Sequence, residues 1–247
     1  MLQWLLHKTV KVGQYGQGIG FAGKADRAVL KHLRRSGTNP LVVFDVGANR
    51  GEFVQLALTE LAPRGLTIHA FEPSKKAFAK LSQRFRNRNE IVLNNVALGD
   101  EAGEQLLYCD VAGSELSSLY PRRTEHHGIR MTSSEQVQVE RLDGYCLARG
   151  ILRIDLLKLD VEGHELRVLE GAAQMFEQRT IGMVSFEFGG CNIDSRIFLR
   201  DFFHFFEAHG MRLARVTGFG SLHPIPRYDE GLEQFRTTCF VASAPRR

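Results

Sequence analysis

The chain lacks the features that mark several large classes of protein. Its 247 residues hold only four cysteines, Cys109, Cys146, Cys191 and Cys239. None sits in a Cys-x-x-Cys pair, so the spacing speaks against a zinc site or a disulfide framework and suits thiols in a reducing compartment. No apolar run approaches the roughly 20 residues needed to cross a bilayer. The N-terminal Met1-Leu2-Gln3-Trp4-Leu5-Leu6-His7-Lys8 is greasy, but no basic stretch precedes it and no small-residue cleavage site follows. That argues for a short amphipathic helix packed on the domain rather than a signal peptide, and the expected location is cytoplasmic. Charge of one sign is also scarce. Lys+Arg total 32 against 28 Asp+Glu, a net charge of +4, which permits an anionic partner without demanding one. Repeats and low-complexity tracts are missing. With 43% hydrophobic and 24% charged residues, the composition excludes a disordered chain or a rod, and the length fits one large α/β domain or two small ones.

What is present is an alternation of strands and helices. Glycines 13, 16, 18, 20 and 23 punctuate an early loop, and Ala25 to Arg35 reads as a helix. Residues 1–40 therefore read as a helical, glycine-rich cap, and 41–247 as one structural unit. Leu41 to Phe44, Leu66 to Phe71, Ile91 to Leu93, Ile154 to Leu159 and Ile181 to Phe186 are short apolar runs of the kind buried on both faces. Helical spacing fills Glu52 to Leu61, Ser74 to Arg86, His164 to Phe176 and Ile197 to His209, and Arg212 to Val216 and Thr237 to Ala242 close the chain as strands. The stretch from about 104 to 140 breaks the rhythm and reads as an antiparallel insertion near the mouth of a site. The expected fold is a Rossmann-like three-layer α/β/α sandwich on a mostly parallel, seven-stranded sheet.

Such sheets bind ligands beyond the carboxyl ends of their strands. There the sequence reads Asp45-Val46-Gly47-Ala48-Asn49-Arg50-Gly51 after one strand and Glu72-Pro73 after the next. A glycine turn lets backbone approach a ligand, and an acid one βαβ unit later is placed to accept hydrogen bonds from ribose hydroxyls. Charge separates the nucleoside cofactors that fit. Asp45 would repel the two phosphates of a nicotinamide dinucleotide but suits the sulfonium and ammonium of S-adenosylmethionine. The early Gly18-Ile19-Gly20-Phe21-Ala22-Gly23 does not sit at a strand-to-helix turn and reads as a flexible loop.

Taken together, Asp45-Val-Gly-Ala-Asn-Arg-Gly-Glu-Phe53, Phe71-Glu-Pro73, Asn95-Val-Ala-Leu-Gly-Asp100, Ser117-Ser-Leu119, Leu157-Lys-Leu-Asp-Val-Glu-Gly-His-Glu165 and Val168-Leu-Glu-Gly171 resemble the FkbM-type methyltransferases. These are class I S-adenosylmethionine-dependent enzymes. The resemblance runs from about Leu41 to Glu187. His164 departs from it, standing where the family commonly has alanine. By position it implies that Asp45, Gly47 and Asn49 line the methionine end of the cofactor, that Glu72 holds the ribose, and that Asn95, Val96 and Ala97 flank the adenine. Glu52, Phe53, Pro73 and Asp160 join the cofactor-binding set, and no metal ligand is implied. The implied reaction is O-methylation of a hydroxyl on a sugar, polyketide or related small molecule or glycan.

A hydroxyl acceptor must lose a proton, so a general base is expected. Asp160, Glu162, His164, Glu165 and Glu187 are the candidates. Asp160 and Glu162 share a strand end and Glu187 ends the next strand, which makes Asp160, Glu162 and Glu187 the expected catalytic carboxylates, with Glu187 or His164 as base. Plainer roles compete: Asp160 as a helix cap, Glu165 as compensation of a helix dipole, His164 as a surface residue. His126-His127 lacks metal-ligand spacing, since adjacent strand residues face opposite ways. The basic residues Lys75, Lys76, Lys80, Arg84, Arg86 and Arg88 read as a solvated helix face rather than a nucleic-acid surface. An RNA methyltransferase is the weaker enzyme reading, because no Asp-Pro-Pro-Tyr or Pro-Cys element occurs. Two further readings compete: a cofactor-binding partner protein without turnover, and a nucleotide-dependent oxidoreductase. The acceptor, metal dependence and oligomeric state stay open, a homodimer being one option. Phe188, Phe198, Phe202, Phe203, Phe205 and Phe206 are read as mostly core.

Overall fold

The computed structural model describes residues 25–35, 37, 39–61 and 65–244, together with Gly13 and Gly18. The N-terminal helix expected over the first eight residues, and most of the glycine-rich loop, lie outside the described residues. The first helix, α1 (Ala25–Arg34), buries Ala25, Val29, Leu30 and Leu33 along one stripe. The strands and helices then alternate as β1 (Leu41–Val46), α2 (Glu52–Leu61), β2 (Leu66–Phe71), α3 (Lys75–Phe85) and β3 (Ile91–Asn94). β4 (Ala97–Leu98), β5 (Gly103–Cys109), β6 (Ser133–Glu140) and α4 (Leu142–Arg149) come next. The second half contains β7 (Leu156–Leu159), α5 (Glu165–Glu170), α6 (Ala173–Glu177), β8 (Met183–Phe188), α7 (Cys191–Ser195) and α8 (Leu199–Ala208). β9 (Arg212–Val216), β10 (Leu222–Pro224) and β11 (Thr238–Ser243) complete it.

The main sheet has the order β10-β9-β11-β8-β7-β1-β2-β3. The five strands from β8 to β3 are parallel, while β11 runs antiparallel between β8 and β9. The sheet has eight strands rather than the expected seven. The extra one, β10, pairs antiparallel with β9. Its three residues include Pro224 and are too short for a periodic signal. The insertion forms a separate sheet, β4-β6-β5, with β5 and β6 antiparallel from Gly103↔Val139 to Cys109↔Ser133, as expected.

Period-two alternation sorts each strand between two cores. Leu41 and Val43 of β1, Leu156 of β7 and Met183 of β8 pack with α1, α2 and α3. Phe44, Val46, Leu157, Leu159, Val184, Phe186 and Phe188 face the other way, against α4, α5, α6 and α8. That second core is rich in stacked aromatics, with the rings of Phe186 and Phe202 4.6 Å apart. Helix α1 thus packs into the same core as α2.

The single helix expected from His164 to Phe176 is broken between Glu170 and Ala173. Asp143 causes the second start: its carboxylate accepts from Gln174 N (3.0 Å) and Met175 N (3.2 Å), capping a new N-terminus. The basic residues of α3 are exposed, opposite the buried Ala77, Leu81 and Phe85. His126 and His127 lie on an exposed 3-10 turn rather than a strand.

Candidate functional site

From β1 the chain leads through β2 to β3 on one side, and from β7 to β8 on the other. The gap between β1 and β7 is therefore the point where strand order reverses, and a cavity of about 340 Å³ opens at the carboxyl ends there. The turn after β1 forms its floor. Gly47 has φ +85°, and a Cβ there would stand 1.9 Å from the carbonyl oxygen of Asp160. Only glycine lets this turn press onto the loop after β7. Gly47 N and Ala48 N both donate to Phe71 O, at 3.0 and 2.9 Å. Glu72 ties the neighbouring segments together: its carboxylate accepts from Asn49 N (2.9 Å) and Ser74 N (2.8 Å). Burial pushes this carboxyl up to about 7, against those two backbone donors.

Sheet register builds the opposite end. Asp45 and Lys158 are direct partners across β1 and β7, and Lys158 pairs with Ser185 across β7 and β8. Asp160 and Glu187 lie two residues further along their strands, so all four side chains share the face covered by α1 and α2. The Lys158 ammonium sits 3.1 Å from Asp45 Oδ1 and 3.3 Å from Asp160 Oδ2. Burial would push this ammonium down, but the carboxylates of Asp45, Asp160 and Asp26 outweigh it and hold it well above the ordinary lysine value. Burial raises Asp45 to about 6, with Lys158 opposing, so the pair is ionised at neutral pH. Helix α1 adds Asp26 to the wall, its carboxyl raised by burial. Burial, followed by the neighbouring Asp160 carboxylate, lifts Glu187 to about 8.

The loop after β7 is organised by Glu165, whose buried carboxylate accepts from Val161 N (3.1 Å) and from Gly163 N (3.1 Å to Oε2). Glu165 does not reach the cavity; it shapes the turn that presents Asp160 and Glu162. Glu162 has φ +52°, a left-handed conformation that costs a non-glycine residue about 1–3 kcal/mol. The insertion holds it there. Ser118 Oγ donates to Glu162 O at 2.7 Å, and Arg122 Nη1 lies 2.5 Å from Glu162 Oε2. Asp194 of α7 stands 3.8 Å from Arg122 Nε. Burial raises the Glu162 carboxyl to about 7 in spite of Arg122.

Of the residues singled out from sequence, Gly47, Asn49, Glu52, Phe53, Glu72, Pro73, Val96, Ala97, Asp160, Glu162, His164 and Glu187 line this one cavity. Two do not. Asp45 is fully buried beneath the wall, against the ammonium of Lys158, which does line the cavity. Asn95 is exposed and donates to Glu72 O (2.8 Å) and Pro73 O (3.0 Å), bracing the acidic turn from behind. Ser117 lines the cavity, whereas Ser118 is buried behind it. Phe186, Phe188, Phe202 and Phe206 are core, and no phenylalanine of α8 reaches the cavity. Sequence reasoning missed Asp26, Lys158 and Arg122. Lys158 carried one usable signal, a charge inside an otherwise apolar strand; Arg122 carried none.

The arrangement can hold a nucleoside with a cationic tail. Glu72 marks one side, Val96, Ala97 and Leu98 form an apolar wall, and Asp26, Asp160, Glu162 and Glu187 set an acidic end. Asn49 Oδ1 is buried without a hydrogen-bond partner on the same wall, as expected where a ligand donor completes the site.

Comparison with known proteins accords with this geometry. The family model described as "Methyltransferase FkbM domain" matches residues 45–213. The 31-O-demethyl-FK506 methyltransferase FkbM of Streptomyces tacrolimicus is 33% identical over 172 residues, which cover 59% of this chain and 64% of that protein. The 2-O-methyltransferase NoeI of Sinorhizobium fredii (strain NBRC 101917 / NGR234) is 27% identical over 143 residues, 54% of this chain and 58% of NoeI. The chain thus spans less than two thirds of the length of these curated relatives. Among solved structures, the methyltransferase FkbM from Methylobacillus flagellatus KT superposes with a TM-score of 0.50 at 15% identity, over 83% of this chain and 43% of that one, a likeness of fold.

Proposed function

The chain belongs to the FkbM methyltransferase domain family, and from that premise we propose that it transfers a methyl group from S-adenosylmethionine to a hydroxyl oxygen of a small molecule or glycan. The relatives named for 31-O and 2-O positions support oxygen as the acceptor atom. The observation that carries the reading is the division of the cavity. Glu72 and the apolar Val96–Leu98 wall suit a nucleoside, and the acidic end suits a cation. A phosphate-bearing dinucleotide or an RNA backbone would meet repulsion there.

In this reading Gly47 and Asn49 hold the methionine portion, Glu52 and Phe53 close that side, and Glu72 with Pro73 takes the ribose. Asp45 acts indirectly, by fixing Lys158 and through it Asp160. When bound, the cofactor supplies an electrophilic methyl carbon. The protein's share is to hold the acceptor oxygen in line with that carbon, which supplies up to roughly 7–11 kcal/mol in favourable cases, and to take its proton. Asp160 and Glu162 orient the acceptor, and Glu187 accepts the proton. Asp26 of α1 closes the acidic end, and the unit from residue 41 onward carries the transfer. The four buried, unbridged cysteines support a reducing, cytoplasmic setting.

Thermal unfolding with S-adenosylmethionine, S-adenosylhomocysteine and NAD, each in turn, tests the proposal. A ligand at about 100 times its Kd stabilises the fold by about 2.7 kcal/mol, a shift of several degrees. The first two should raise the midpoint in the wild type and not in Glu72→Ala. A shift with NAD alone, or with none of the three, would remove the reading. Bound cofactor with no product across a panel of hydroxylated acceptors would point instead to a partner protein without turnover.

A further inference from the structure

Among the described residues, Asp26 alone of the cavity's acids lies outside the stretch 45–213 that matches the family. It stands in the first turn of α1, half-buried, and lines the cavity beside the strand-end acids. Burial raises its carboxyl, and no hydrogen bond or ion pair engages it among the described residues. The other acids of that end are already engaged. Asp160 contacts Lys158, Glu162 contacts Arg122, and Glu187 is the proton acceptor of the reading above. Asp45 has both carboxylate oxygens sealed in the interior, whereas those of Asp26 are not. A carboxylate drawn from water without a partner favours a ligand that brings a cation.

The packing of α1 says which part of a ligand it would meet. This helix docks on α2, whose first residues Glu52 and Phe53 line the cavity. Ala25 and Phe53 are buried in the same core. The Lys158 ammonium stands 5.3 Å from the centroid of the Phe53 ring, and after burial it is the Lys158 charge that acts most on Asp26. The charges acting on Glu162, at the insertion side, are Arg122 and Asp160 instead. Asp26, Phe53 and Lys158 therefore make one corner above the end of β1. That is the side assigned above to the methionine portion, which ends in an α-ammonium.

We propose that Asp26 is a cofactor-binding residue, its carboxylate accepting from the α-ammonium of the methionine portion. This rests on the cofactor reading above, and it makes α1 part of the cofactor site.

The test compares S-adenosylhomocysteine with its analogue lacking the α-amino group, by calorimetric Kd, on the wild type and on Asp26→Asn. The wild type should bind the analogue about tenfold more weakly or worse, and that gap should shrink to within about twofold in Asp26→Asn. Equal gaps in both proteins, or no gap in the wild type, would overturn the assignment while leaving the cofactor site intact. Failure of the wild type to bind S-adenosylhomocysteine at all would remove the cofactor reading and this one with it. Should Asp26→Asn not fold, 13C titration of the Asp26 carboxyl in the wild type decides the matter. A lower midpoint with S-adenosylhomocysteine bound than with the analogue bound supports the contact, and equal midpoints refute it.

Discussion

Replacing Lys158 by methionine removes the cation that keeps Asp45 charged inside the protein. Asp45 is 0% exposed, and its partner is the Lys158 ammonium at 3.1 Å. Breaking a buried pair by removing one member costs about 3–5 kcal/mol, because an uncompensated charge stays behind. For a chain of this size each kcal/mol moves the midpoint by about 2–4 °C, so the variant should melt roughly 6–20 °C below the wild type at pH 8. The pH dependence follows from the sign. Without Lys158, the folded-state pKa of Asp45 rises further above its unfolded value, and the penalty exists only where the folded carboxyl would otherwise ionise. The gap between variant and wild type should therefore narrow as pH falls from 8 towards 5. Lys158→Met combined with Asp45→Asn removes the orphaned charge and should recover most of the loss. Urea unfolding at both pH values measures each term. A loss below 1 kcal/mol, or no recovery in the double variant, would refute the claim that this pair holds the site's foundation.

Glu187→Gln should lower turnover at least about 100-fold while cofactor Kd changes less than threefold; full activity by methyl-transfer assay would eliminate Glu187 as the base. Because the Glu187 carboxyl is raised to about 8 and only its ionised form takes a proton, wild-type kcat/KM should climb about tenfold per pH unit below that value and level off above it. The residual rate of Glu187→Gln should lack this limb. Gly47→Ala places a Cβ against Asp160 O on a backbone with φ +85°; it should abolish the thermal shift given by S-adenosylhomocysteine, and a retained shift would contradict the close turn. Arg122→Met leaves Glu162 without its cation and should raise acceptor KM about tenfold with cofactor Kd nearly constant, a split that steady-state kinetics and calorimetry resolve.

The parts of the site visible in sequence are those encoded locally. Strand-end acids, the Gly47 turn and Glu72-Pro73 each declare themselves within a few residues. A buried parallel strand is a plain apolar run, and the residues just past its carboxyl end lie at the ligand face. Asp26 and Arg122 act from outside the strand-end segments. Asp26 lies on a helix whose docking against α2 decides which way its acid points. Arg122 lies in a loop whose path is set by the pairing of Tyr108 with Ser118. The roles given to Asp45 and Asn95 needed depth as well as order. A carboxylate at a strand end can face a ligand or the underside of its neighbour, and cross-strand register with Lys158 decided the second.

That register also explains why Lys158 sits in the middle of an apolar strand. Asp45, Asp160 and Glu187 converge on one face from three parallel strands, and Asp26 descends on it from α1. Unpaired, such a cluster would protonate, and a protonated cluster could neither attract a cation nor accept a proton. Lys158, buried but for its edge on the cavity, neutralises Asp45 and leans on Asp160. Glu187, not in contact with the ammonium, is pushed up to about 8 by burial and by the neighbouring Asp160 carboxylate. One cation among four acids thus separates the two it contacts, Asp45 and Asp160, from Glu187, whose raised carboxyl lies in the range that suits the proton acceptor proposed above.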